Sequence, residues 1–258
     1  MSSPATALML GCEFQPLVCL QTGKPRGYEA LARFYAKDGS SIAPNRVFDC
    51  LHACPAALAE TEFAAKRLQL SLAPKGAPLF VNLDPHSLTP ELQGALLPML
   101  QARGDLVVEL IENTCISDAL MALSLQSSLQ AAGIAVALDD IGAPHAMLSL
   151  ELLSRVDWIK FDRHWLNRLH IGPERKLLES LVGYAHSTGK FTVIEGIETE
   201  QQRQAVAAIG FTLAQGFLFQ AQFIKPMVKE LLSDKTVGLL DELAANNISA
   251  GMTSQNCA

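Results

Sequence analysis

Six short runs of apolar, mostly β-branched residues recur along the chain from residue 78 onward. They are PLFVNL at 78–83, LVVE at 106–109, IAVALD at 134–139, VDWIKF at 156–161, FTVIE at 191–195 and FTLAQ at 211–215. Runs with little polar alternation predict strands buried on both faces, as in a parallel sheet. The stretches between them carry apolar residues at helical spacing and predict helices over 90–102, 117–132, 145–154, 173–188 and 199–209. Thr199 with Gln202 three positions on has the form of a capping box. Gly133, Gly189 and Gly210 each follow a helical run, where a left-handed cap is common. A repeated strand-then-helix order points to a parallel sheet with right-handed crossovers, open or closed. The first third differs: apolar runs at 13–21 and 26–32 flank Thr22-Gly23-Lys24, a hairpin pattern and therefore antiparallel. Helices are predicted over 44–53 and 57–72.

Composition narrows the class. The 258 residues are 49% hydrophobic and 18% charged, too apolar for a disordered chain. No apolar run approaches the roughly 18–20 residues of a bilayer-spanning helix, so no membrane contact is expected. The length suits one α/β barrel of about 250 residues. With no compositional break, a single domain is predicted over 1–245, followed by a small, polar, frayed tail at 246–258. A formal charge of −6 argues against binding DNA through its backbone. It leaves room for a small phosphate ligand held by a few cations or by metal. Cys12, Cys19, Cys50, Cys54, Cys115 and Cys257 form no C-x-x-C pair, and Cys50 and Cys54 are expected to be reduced residues on a half-buried helix face. The first residues lack the pattern of a secretory leader, and a reducing cytoplasm is the expected compartment.

The strands end in an ordered series of polar residues. Asn82 ends the first, Glu109 the second with Glu112 just beyond, and Asp139-Asp140 the third. Lys160 ends the fourth with Asp162 beyond it, Glu195 the fifth with Glu198 close behind, and Gln215 the sixth. One such residue could mark only where a strand meets water. Six in series on parallel strands would share the face where barrel and open-sheet active sites lie. Glu29, Glu109, Asp139, Asp140 and Glu195 gathered at one mouth would repel one another, and divalent cations would relieve this. Hard oxygen ligands suit Mg²⁺ or Mn²⁺. Two such ions sharing a carboxylate make a site for hydrolysing a phosphodiester.

At these residues the sequence resembles the EAL domains, cyclic di-GMP phosphodiesterases of bacterial signalling. Glu29-Ala30-Leu31 lies inside YEALARF, preceded by FQPLV at residues 14–18. FVNL around Asn82, VVELIE at 107–112, ALDDIG at 137–142, WIKFD at 158–162, IEGIETE at 194–200 and AQGFLF at 214–219 follow in order. The resemblance spans roughly residues 12–225. It implies a modified TIM-type (β/α)8 barrel, of the α/β class, with one antiparallel strand near the N-terminus. It implies two Mg²⁺ or Mn²⁺ ions and hydrolysis of cyclic di-GMP to the linear dinucleotide. The implied metal ligands are Glu29, Asn82, Glu109, Asp139, Asp140 and Glu195. Glu29, Lys160, Glu195 and Asp140 are the implied catalytic groups, with Lys160 near the attacking water or the phosphate. Gln15, Leu31, Arg33 and Gln215 would face substrate, Arg33 on a phosphate oxygen and Gln215 on a metal-bound water. Glu112, Glu198 and Asp162 would support them.

One segment departs from the resemblance. After Asp139-Asp140 the family continues Phe-Gly-Thr-Gly-Tyr-Ser-Ser, whereas this chain has Ile141-Gly142-Ala143-Pro144-His145-Ala146-Met147. Ala143 lacks the hydroxyl expected to meet Glu112, and Pro144 replaces a conformationally free glycine. His145 is expected to be a solvated loop residue. The block at Leu51-His52-Ala53-Cys54-Pro55 also departs, with no catalytic consequence expected. The altered loop leaves a second function open: a catalytically weak or inactive domain that binds cyclic di-GMP or a partner protein as a sensor. A homodimer and a regulatory protein partner also remain open. A metal barrel of another kind, acting on a small carboxylate, does not account for the ordered blocks.

Overall fold

The computed structural model describes residues 8–88, 90–111, 116–144 and 146–232. The chain opens with the predicted hairpin, β1 (Met9–Cys19) and β2 (Pro25–Tyr35), which pair antiparallel with Gln15 opposite Glu29. A short β3 (Ser41–Ile42) and the helices α1 (Pro44–Leu51) and α2 (Pro55–Leu72) follow. Both helices start on proline, whose missing N–H costs nothing in the first turn. Then come β4 (Leu79–Asn82), α3 (Pro90–Gln101), β5 (Leu106–Ile111), α4 (Ile116–Ala131), β6 (Ala135–Ile141) and α5 (Leu150–Arg155). The series ends with β7 (Trp158–Phe161), α6 (Gly172–Ser187), β8 (Phe191–Ile194), α7 (Glu200–Ile209), β9 (Leu213–Ala214) and β10 (Glu230–Leu231).

Eight strands close into a barrel in the order β1-β9-β8-β7-β6-β5-β4-β2, and β2 pairs back to β1. Strand β1 runs antiparallel to both neighbours, and every other pair in the ring is parallel. This is the α/β barrel with one reversed strand that the resemblance implies. The two-residue strands β3 and β10 extend the sheet beyond the ring, β10 pairing with the start of β1.

Two layers fill the barrel. Leu17, Phe80, Val107, Ala137, Val193 and Leu213 pack together across its lower half, with Trp158 against them. Side chains on a strand return to the same face every second residue. Two positions toward the carboxyl ends of the parallel strands therefore stand Asn82, Glu109, Asp139, Lys160, Glu195 and Gln215. On reversed β1 the same step leads from Leu17 back to Gln15. The apolar layer is thus the floor of the polar one, and fully burying each large side chain in it contributes about 1.5–3 kcal/mol. Between sheet and helices lies a second apolar shell, including Val81, Val108, Val136, Leu138, Ile159 and Ile194.

The helix start at Thr199 is a complete capping box: its hydroxyl accepts from Gln202 N–H, and the Gln202 side chain accepts from Thr199 N–H. Gly133, Gly189 and Gly210 all take positive φ. The helix predicted from residue 145 begins only at Leu150. Ser149 caps it by accepting from Leu152 N–H, so the turn chemistry of Ser149 sets the boundary. No helix among the described residues is long and apolar enough to cross a membrane. Glu112, Cys115, His145, Cys257 and the stretch 246–258 lie outside the described residues. Cys12, Cys19, Cys50 and Cys54 are free thiols; Cys50 and Cys54 are half-buried but do not share the expected helix face, because α1 ends at Leu51 and Cys54 is the extended residue that precedes α2.

Candidate metal and phosphodiester site

Lys160 stands at the centre of the polar layer, fully buried. Its ammonium lies 2.7 Å from Glu109 Oε1, 2.8 Å from Glu195 Oε1, 3.0 Å from Asp139 Oδ1 and 3.7 Å from Glu29 Oε2. Four carboxylates thus share one cation. Glu109 Oε1 meets the ammonium as a close ion pair, whereas its Oε2 is buried with no hydrogen-bond partner. A buried acceptor without a partner is costly, and a carboxylate more so.

Glu29 is held from two sides, by Asn82 Nδ2 donating to Oε1 at 3.0 Å and Gln215 Nε2 donating to Oε2 at 2.6 Å. Gln215 Oε1 is buried and unpartnered. Gln215 Nε2 also reaches Gln15 Oε1 at 3.2 Å, and Gln15 Nε2 donates to Glu13 Oε1 at 2.9 Å. Arg33 donates to the same Glu13 oxygen at 3.0 Å, and Lys225 lies 3.2 Å from the other. Arg33 therefore joins the site through Glu13 and Gln15 and does not line its cavity.

The Asp139-Asp140 pair depends on a break in strand regularity. The β6–β7 register shifts between Leu138 and Ile141, and Asp140 takes φ 58°, the one positive value among described non-glycine residues. In an unbroken strand adjacent side chains face opposite ways. Here both carboxyl groups line the mouth cavity, and Asp140 N–H donates to Asp139 Oδ1 at 2.9 Å. Gly142 follows at φ 87°, where an added Cβ would fall 2.2 Å from Trp165 Nε1. That indole instead donates to the Ile141 carbonyl at 2.8 Å. The departed segment is therefore pinned at its start by Trp165.

The charges perturb one another. Burial and the neighbouring Glu29 charge push Glu109 well above the ordinary carboxyl range. Burial also raises Asp139, against the pull of Lys160. Burial and Asp139 raise Asp140 to about 6. Burial raises Glu195 to about 8, the Lys160 charge opposing it and Asp139 and Glu29 adding to it. Glu29 alone ends below its ordinary value: burial pushes it up, but Lys160 and the Gln215 and Asn82 hydrogen bonds outweigh that. Burial disfavours the Lys160 charge, yet four carboxylates hold its pKa well above the usual lysine value. The cluster is short of positive charge, the condition that divalent cations relieve.

A cavity of about 380 Å³ opens over this layer, with Gln15, Glu29, Leu31, Asn82, Asp139, Asp140, Glu195, Glu198 and Gln215 in its wall. Of the residues picked from the sequence, Glu109 and Lys160 lie beneath it. Asp162 turns aside to cap the 3-10 turn at Arg163–Arg168, accepting from His164 N–H at 2.8 Å. The sequence reading missed Arg163 and Phe217, which also line the cavity. Arg163 sits directly after the WIKFD block, a position that could have marked it. Phe217 gave no separate signal within an apolar run. A larger cavity of about 770 Å³ lies at the opposite end, around Trp158 and Phe191, away from the carboxylates.

The EAL domain family matches residues 9–222 of this chain, and the chain belongs to that family. It is 26% identical over 231 residues to the bifunctional diguanylate cyclase/cyclic di-GMP phosphodiesterase MucR of Pseudomonas aeruginosa, covering 85% of this chain and 33% of that protein. The chain thus spans about a third of that relative's length. Among solved structures, the PaMucR phosphodiesterase in complex with c-di-GMP superimposes with a TM-score of 0.63 at 25% identity, over 81% of this chain and 90% of that one. The manganese/cyclic di-GMP complex of BlrP1 from Klebsiella pneumoniae gives 0.60 at 25% identity, over 90% and 58%.

Proposed function

We propose that the protein hydrolyses one phosphodiester bond of cyclic di-GMP with two divalent cations, Mg²⁺ or Mn²⁺, at the barrel mouth. The observation that carries this is the group of four acids, Glu29, Glu109, Asp139 and Glu195, that share the single ammonium of Lys160. The donor set fits hard cations: carboxylates of Glu29, Glu109, Asp139, Asp140 and Glu195, with the Asn82 amide oxygen. Such ions, when bound, polarise a phosphoryl oxygen and lower the pKa of water. Lys160, held protonated, sets the spacing of Glu109, Asp139 and Glu195 around one point. Asn82 and Gln215 fix both oxygens of Glu29 and so its orientation. Arg163 brings a guanidinium to the cavity wall, suited to a phosphate oxygen. Phe217, 63% exposed, offers a ring on which a purine can stack. Leu31 gives the wall an apolar patch, and Gln15 passes the pull of Arg33 and Glu13 toward Gln215. Glu198 borders the cavity, whereas Asp162 supports the turn that carries Arg163. The free thiols support a cytoplasmic setting.

Ala143 and Pro144 favour a second reading, a domain that binds cyclic di-GMP or a partner protein as a sensor with little turnover. Incubation of labelled cyclic di-GMP with Mg²⁺ or Mn²⁺ decides between them. Linear product that disappears in Glu29→Ala supports hydrolysis. Ligand binding with no product supports the sensor, and neither binding nor product removes hydrolysis and cyclic di-GMP sensing and leaves only the partner-protein role.

A further inference from the structure

We infer a separate borderline-metal site, of the zinc class, formed by His52, Asp84 and His86 beside the barrel mouth. His52 is the residue after α1, and Asp84 and His86 follow β4, so distant segments meet here. One ligand atom from each of the three residues falls within 4.8 Å of the others. His52 Nε2 lies 2.6 Å from Asp84 Oδ2, and His86 Nδ1 lies 3.1 Å from Asp84 Oδ1. The second observation is the other ring nitrogen of His52, 2.8 Å from the Phe48 carbonyl oxygen. A carbonyl only accepts, so His52 Nδ1 carries a hydrogen. In a neutral ring the lone pair then sits on Nε2, aimed at a carboxylate oxygen that also only accepts. The contact needs positive charge between the two atoms, a second ring proton or a metal ion.

The surroundings are those of a prepared ligand set. Metal-bound histidines commonly donate their second N–H to a backbone carbonyl, which fixes the tautomer and ring orientation. Phe48 does this for His52. The Asp84 carboxylate is fixed in turn, because Oδ1 accepts from His86 N–H at 2.8 Å and so caps the 3-10 turn at Pro85–Ser87. Two imidazoles and one carboxylate suit Zn²⁺ with a water in the fourth place, whereas Mg²⁺ prefers oxygen alone. Zinc bonds of about 2.0–2.1 Å in a tetrahedral set place ligand atoms about 3.3 Å apart. His52 meets Oδ2 and His86 meets Oδ1 of Asp84, so seating all three ligands on one ion requires side-chain movement, which the 43% and 47% exposure of the two rings permits. A loaded site would tie the end of α1 to the segment two residues past Asn82.

The test uses the full chain, stripped with chelator and given excess Mg²⁺ to occupy the barrel mouth, then titrated with ZnCl₂ alone. Wild type should bind zinc, and His52→Ala and His86→Ala should each weaken that binding by about tenfold or more. Histidine ¹⁵N spectra of the wild-type protein supply a readout independent of any variant's folding. The His52 Nε2 resonance should move on addition of zinc and stay put with Mg²⁺. Zinc binding equal in wild type and both variants, or histidine nitrogens that zinc leaves unmoved, would overturn the site and leave a proton-bridged cluster.

Discussion

Replacing Lys160 with methionine keeps the length of the side chain and removes the one cation that Glu29, Glu109, Asp139 and Glu195 share. The buried carboxylates must then stay charged and unpaired or take up a proton. An ordinary glutamate has a pKa near 4.3, and each pH unit is worth about 1.4 kcal/mol. Protonating one carboxylate at pH 7 therefore costs about 3.7 kcal/mol, and at pH 5 about 1 kcal/mol. The first figure falls within the roughly 3–5 kcal/mol found when one partner of a buried pair is removed. Urea unfolding of wild type and Lys160→Met, in chelator, should show a stability loss of about 3–5 kcal/mol at pH 7 that shrinks to about 1 kcal/mol at pH 5. Saturating Mn²⁺ should stabilise the variant more than the wild type. A loss under about 1 kcal/mol at pH 7, or one that does not change with pH, would refute the view that Lys160 holds the acids together.

Metal-free wild type should lose stability as pH rises from about 4.5 toward 8. Glu109, Asp139, Asp140 and Glu195 bind protons more tightly folded than unfolded, outweighing the opposite trend of Glu29. Melting temperatures in chelator across that range check it, and a curve that is flat or rises with pH would count against the crowding. Arg163→Ala should raise KM for cyclic di-GMP about 10–100-fold, the worth of a charged hydrogen bond, with unchanged melting temperature. An unaltered KM would take Arg163 off the phosphate. Ala143→Thr together with Pro144→Gly should raise the turnover rate if the departed segment limits it, and steady-state kinetics showing no gain would clear that segment.

Much of the barrel was legible because its signals are local. The hairpin, six strands and seven helices all appear near their expected places, since buried parallel strands and amphipathic helices carry strong periodic patterns. The edges were less legible. Strands β3 and β10 are two residues each, fixed by partners distant in sequence, and no periodicity announces them. The sequence also extended β7 back to residue 156. The structure starts it at Trp158, because Val156 N–H still serves the end of α5 by donating to the Leu152 carbonyl. Within the site, strand-end residues were found because parity and strand direction place them together. Glu13 and Arg163 were not, because their roles arise from neighbours across the barrel and from a turn geometry that the sequence does not spell out.

The irregularity at Asp140 sets a limit on redesign of this barrel. Straightening the third parallel run into an ideal ladder would improve its backbone pairing and satisfy every local preference. It would also swing one of two consecutive acids to the far side of the sheet, into the helix layer. A regularised version of this scaffold would keep its shape and lose one acid of the proposed cation site, so the kink serves the proposed function and not the architecture.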